Sequence, residues 1–155
     1  MRAQEFIADE TMRAMDDLIR TVTKMPEGKS DWSPLDLGRD ARDQVAECAL
    51  IGASMVDVIR DRKMPEFTPE FLEQYETMKA GLGLEEAIGM LRDKTREVCE
   101  LIREYPDSDL ESEIAFWGPD PWKMVRVLNY HYSNMCYHTG QVNYIQTLYG
   151  DTQMG

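Results

Sequence analysis

The stretch Asn129–Asp151, NYHYSNMCYHTGQVNYIQTLYGD, decides how this chain is read. It holds both histidines, His131 and His138, and one of the three cysteines, Cys136. It reads as the final helix of a helical protein, ending at Gly150, with polar groups set into a face that packing buries. Asp120 as N-cap and Pro121 as first helical residue place the start of that helix upstream of the stretch.

Working backwards, Leu110–Pro121 carries Ile114, Phe116, Trp117, Gly118 and Pro119, and reads as an extended crossover anchored by aromatics. Tyr105-Pro106-Asp107-Ser108 breaks the helix before it, which runs from Leu84 to about Glu104. Gly81-Leu82-Gly83 separates that helix from a short one that starts at Thr68-Pro69, with Thr68 as cap. The second helix spans about Gly38 to Arg62, and Ala41, Val45, Cys48, Gly52, Met55 and Ile59 form one heptad-like seam along it. Residues 3–24 make the first, with apolar positions recurring at three and four residues before Met25-Pro26-Glu27-Gly28 ends it. Trp32, in the Pro34-containing loop that follows, is placed to plug one end of a core. No β pattern, repeat or low-complexity tract interrupts the series. Four long helical stretches, with a longer link before the last, predict an all-α four-helix bundle with a crossover connection before the last helix.

A chain of 155 residues suits one domain, here 1–155, with one sizeable core. A net charge of -12 argues against nucleic acid, since phosphate contacts need clustered Lys and Arg. No run approaches the roughly 20 apolar residues that cross a bilayer. The charged N-terminus lacks a signal-peptide core, so a cytoplasmic location is expected. Cys48, Cys99 and Cys136 lack CxxC spacing, sit among apolar neighbours and read as reduced core thiols.

Chemistry concentrates on the last helix. His131 and His138 lie on one stripe, within ~20° around the axis, but seven residues separate them by roughly 10 Å along it. Two imidazoles sharing one ion need their nitrogens about 3 Å apart, so these two do not chelate together. Asn134 and His138 are one turn apart, the spacing of helical two-ligand chelates, with an amide in the first place. They could equally hydrogen-bond each other or a neighbouring helix. Glu47, off the seam of the second helix, could complete a metal site, orient the imidazole, or pair with Lys or Arg in solvent. Asp43, one turn before it, and Gln44 are further polar candidates. Serine-nucleophile elbows, phosphate loops and HExxH are absent. Cys136 and His138 point to different helix faces, which leaves no local thiol–imidazole pair.

The run Tyr137–Asp151 resembles the last helix of DinB/YfiT-like proteins, which carry a His-x-x-His-His-Arg-Gly-Gln stretch before a Tyr-Ile or Tyr-Leu pair and a Leu-Gly close. Asp31-Trp32-Ser33-Pro34 and Gln44-Val45-Ala46-Glu47-Cys48-Ala49 look like that family's loop and second helix. The resemblance implies a four-helix bundle, often dimeric, with a divalent ion (Zn, Ni, Fe or Mn) on three histidines. Those ligand positions fall here on Glu47, Asn134 and His138, so one of the three is histidine. His131, Gln141 and Gln44 would then line the pocket or support the ligands. Relatives include thiol-dependent transferases and isomerases. Two expectations follow. One is a metal-dependent enzyme, a thiol-dependent transferase or hydrolase, acting on a small molecule. The other is a non-catalytic bundle with a degenerate metal site that binds a small molecule or protein partner as a homodimer.

Overall fold

Caps and breakers set the helices of the computed structural model, which describes residues 1–153. Helix α1 is Ala3–Thr23, and Glu5 Oε2 accepts from the Arg2 backbone N–H at its start (3.0 Å). Helix α2 is Ala41–Asp61. Asp40 accepts the Asp43 N–H at 2.6 Å and so starts it three residues later than the glycine at 38 suggests. Thr68 caps α3, Pro69–Gly81, through the Phe71 N–H at 3.2 Å. Helix α4, Leu84–Glu104, has the expected limits, with Glu86 reaching back to the Gly83 N–H at 3.2 Å.

The last helix begins differently from expectation. Asp120 and Pro121 do not start it. Residues Trp122–Lys123 (β2) instead pair antiparallel with Glu113–Ile114 (β1), in the register Glu113 to Lys123 and Ile114 to Trp122. A five-residue helix α5, Met124–Leu128, follows, and Asn129 separates it from α6, Tyr130–Leu148. Aromatic packing overrides the local cap signal. Phe116 is buried and its ring centre lies 5.0 Å from that of Trp122 and 5.1 Å from that of Tyr130, while Arg126 covers Trp122 at 3.4 Å.

Helix α2 packs on α4 and α6, and α1 packs on the same two. Their directions follow from paired residues. Arg42 donates to the Leu82 carbonyl and Arg60 bonds Glu97, so α2 and α4 run the same way. Gln44 meets His138 while Gly52 lies against His131, so α6 runs opposite to α2. Gln4 bonds the Tyr105 carbonyl and Cys99 the Ala8 carbonyl, so α1 opposes α4. The connection that returns along the molecule is therefore residues 62–83, which contains α3, and not the link before the last helix. That later link closes one end, where Phe116, Met124 and Leu128 pack with Ile102 and Tyr105.

Every residue of the α2 seam is buried, and α6 buries its own heptad-like row: His131, Met135, His138, Val142 and Ile145. Cys48 and Cys99 are core thiols, whereas Cys136 is exposed, because position 136 falls on the outer face of α6. Trp32 is half-buried and meets Tyr149 edge-on at 6.1 Å. Helix α3 buries none of its residues and leans on α2. Among the described residues no helix is long and apolar enough to cross a membrane.

Gly52 makes the α2–α6 approach possible. A Cβ there would stand 3.1 Å from Cε1 and 3.2 Å from Nε2 of His131, a ring with no exposed surface. Alanine's helical preference offers ~1 kcal/mol, but crowding a closed core costs roughly 1–3 kcal/mol. Gly52→Ala is therefore expected to lower stability by about 1 kcal/mol net, measured by urea unfolding. A raised midpoint would show that the imidazole yields.

Candidate functional site

His138 is brought to α2 by the α6 row, and it arrives almost fully buried, at 1% exposure. Its Nε2–H donates to Glu47 Oε1 at 3.0 Å. Its Nδ1 lies 3.0 Å from Oε1 of Gln44 and 3.0 Å from Oε1 of Gln141. Both ring nitrogens are thus held by side chains, Nε2 by α2 and Nδ1 by one glutamine each from α2 and α6. The second oxygen of Glu47 accepts from Arg39 Nη2 at 2.6 Å, and Arg39 Nε donates to Asp43 at 2.6 Å. Lys79 extends the chain of charge, 3.4 Å from Asp43 and 2.9 Å from Glu76.

The electrostatics follow from that arrangement. The hydrogen bond from His138 holds the Glu47 carboxyl down at about 2, helped by the charges of His138 and Arg39 and opposed by burial. Burial, then the nearby Glu47 charge, pushes the Tyr75 phenol up, and the Tyr130 phenol rises for the same two reasons. Glu47 thus looks onto two tyrosines.

Glu47 lies on the wall between two clefts. On one side it lines a cleft of about 1160 Å³ between α2 and α3, with Leu50, Ile51, Tyr75, Trp117 and Tyr130. On the other side Arg39, Gln44 and Gln141 line a second cleft of about 950 Å³, beside Trp32, Tyr137 and Tyr144. His138 is inside the wall.

Of the residues picked out from the sequence, Glu47, His138, Gln44 and Gln141 meet directly. Asn134 lies one turn before His138, half-buried, and its Oδ1 is buried without a hydrogen-bond partner. His131 stands apart, against Gly52, with Nε2 2.9 Å from Thr95 Oγ1 and Nδ1 unpartnered. Desolvation holds it down at about 4, so it is neutral near pH 7. Arg39 is the participant that sequence reasoning missed. Its only signal was an arginine four residues before Asp43 and eight before Glu47.

A divalent ion fits this donor set poorly. Each oxygen of Glu47 already accepts from a nitrogen, so an ion would have to compete with His138 and Arg39 for the carboxylate. The Arg39 guanidinium also places a fixed positive charge where an ion would have to sit nearby. Among the described residues no three His, Cys, Asp or Glu side chains cluster as metal ligands.

No family model matches the chain, and no curated protein does. Solved structures do. A protein from Streptococcus pneumoniae superposes with a TM-score of 0.74 at 13% identity, over 95% of this chain and 92% of that one. An uncharacterized protein from Clostridium difficile 630 gives 0.74 at 13% identity, over 99% of both chains. At this identity the likeness is one of fold.

The depressed Glu47 carboxyl links folding to pH. Its ordinary value is 4.5 and its folded value about 2, so the contribution is fully present above ~4.5 and disappears as pH falls through 2. Part of the carboxylate faces solvent, which reduces the effect to about 2 kcal/mol. Glu47→Gln should therefore cost about 2 kcal/mol at pH 7 and almost nothing at pH 2, read by urea unfolding at both. An equal cost at both pH values would mean that packing, not charge, is what Glu47 supplies.

Proposed function

We propose that this protein is a DinB-like four-helix bundle, with the crossing connection at residues 62–83, that binds a small molecule in the cleft between α2 and α3. The His138–Glu47–Arg39 network includes two of the three positions, Glu47 and His138, onto which the resemblance maps metal ligands, and in this reading it holds no ion. The observation that carries this reading is the engagement of both Glu47 oxygens, by His138 at 3.0 Å and Arg39 at 2.6 Å. An internal ion pair with Arg39 weakens the pull of that carboxylate on a divalent cation. These contacts favour the second expectation, a binding bundle with an altered site, over the metal-dependent transferase or hydrolase that the resemblance implies.

The cleft supports the binding role. Its volume, about 1160 Å³, accommodates a drug-sized molecule, and its lining is mostly apolar and aromatic around a few polar groups. Metal content after growth with Zn, Ni, Fe and Mn is expected to be far below one ion per chain. Phenylnaphthylamine, a neutral fluorescent probe, is expected to bind one per chain, and Ser54→Trp, which fills the cleft, should weaken it at least ~10-fold. Stoichiometric metal that is lost on Glu47→Ala would restore the metalloenzyme reading.

The homodimer is proposed on the face of the second cleft. Leu35 and Leu37 are about nine-tenths exposed, and Tyr137, Tyr144 and Leu148 beside them are also open to solvent. Such an apolar strip is what a partner copy covers. Leu37→Lys combined with Tyr144→Lys should turn a dimer into a monomer in sedimentation equilibrium. A monomeric parent protein would contradict the assignment.

A further inference from the structure

The α2–α3 cleft has an unusual combination of walls. Its aromatic side chains form one connected group. The ring centres of Phe67 and Trp117 are 5.1 Å apart, those of Phe67 and Phe71 5.5 Å, and those of Trp117 and Tyr130 6.3 Å. Its charged lining is almost entirely acidic: Glu47, Asp57, Asp61, Glu66 and Glu76 against Lys63 alone.

Most of those acids are already matched. Glu47 has Arg39 and His138, Glu76 has Lys79, and Lys63 stands 3.9 Å from Glu66. Asp57 and Asp61 are different. They lie one turn apart on α2, both exposed, and among the described residues neither forms a salt bridge. Two unmatched carboxylates one turn apart repel each other. They also repel an anionic ligand and do nothing for a neutral one. A cation entering over the π faces would relieve the repulsion and gain from the negative faces of the rings.

Resting on the small-molecule reading above, we infer that the ligand of this cleft is an organic cation. It carries an ammonium group on an apolar body, with its charge held between the Asp57–Asp61 rim and the faces of Trp117 and Tyr130. The apolar body lies along Leu50, Ile51 and Met90. No bond is made or broken in this role. The network behind Glu47 matters because it keeps that carboxylate charged while shielding most of its charge, which leaves selectivity to the rim.

The test is displacement of phenylnaphthylamine from the full chain by three competitors of one shape. These are benzyltrimethylammonium, its neutral isostere neopentylbenzene, and the anion phenylacetate. The cation is expected to displace the probe at a concentration at least ~10-fold lower than the neutral isostere, and phenylacetate not at all. In the double variant Asp57→Asn, Asp61→Asn, whose exposed positions leave the core alone, the preference should shrink to about 2-fold. Trp117→Leu should weaken the cation more than the neutral compound. Equal potency of cation and isostere overturns the inference while leaving the cleft as a binding site. A preference unchanged in the double variant overturns the assignment to the rim. Failure of phenylnaphthylamine itself to bind overturns the small-molecule reading and the inference with it.

Discussion

The hydrogen bond from His138 Nε2 to Glu47 Oε1, 3.0 Å long, is the contact on which the rest of this structure depends. It joins α2 to α6 across the core, and it places a charged carboxylate against a ring with 1% exposure. A buried polar pair of this kind is tolerable only when every remaining lone pair and proton finds a partner. The surroundings supply them. Gln44 and Gln141 face Nδ1, and Arg39 takes the free carboxylate oxygen. Removing Glu47 leaves the buried Nε2 of His138 with an unmet desolvation cost of roughly 1–3 kcal/mol, whereas Nδ1 keeps a partner when either glutamine is lost. The register between the two helices is held at this level and again at Gly52, where the absent side chain admits His131.

The two histidines of α6 therefore sit in different surroundings on one helical stripe. His138 is surrounded by acceptors and a carboxylate. His131, seven residues away, sits among Gly52 and Thr95 with one nitrogen unpartnered, and desolvation keeps it neutral. The difference is not in the stripe but in what α2 and α4 present to it: a glutamate and a glutamine at one level, a glycine and a threonine at the other. Glu47 then connects the core to solvent, since it is the member of the network that lines the α2–α3 cleft.

Much of this was legible from the chain. Pro69, Thr68 and the Gly81–Gly83 pair mark helix limits through conformational constraints that tertiary contacts rarely overturn. The α2 seam predicted burial because a seven-residue repeat leaves no other face for it. Glu47, His138, Gln44 and Gln141 were polar candidates in the sequence and do meet, whereas Asn134, one turn before His138, does not join them. Three features could not be read that way. The start of the last helix depends on Phe116, Trp122 and Tyr130 packing together, a contact between segments with no periodic signal. Arg39 lies outside α2, and its reach to Glu47 depends on how the chain enters that helix. The direction of α4 depends on how far residues 62–83 travel, which composition does not encode. Cys136 was misplaced for a simpler reason: apolar sequence neighbours on a helix do not share its face.

The altered ligand set acquires a physical meaning in this setting. The Glu47 carboxylate brings a negative charge that calls for a cation, and the chain itself provides one, on Arg39. The two bacterial structures at 13% identity share this chain's fold. A crystal structure of the protein grown in millimolar zinc tests that account most directly. The account predicts Glu47 and His138 still in contact at 3.0 Å, with Arg39 on the second oxygen and no density between them. An ion within about 2.1 Å of His138 Nε2, with Arg39 swung away, would contradict it.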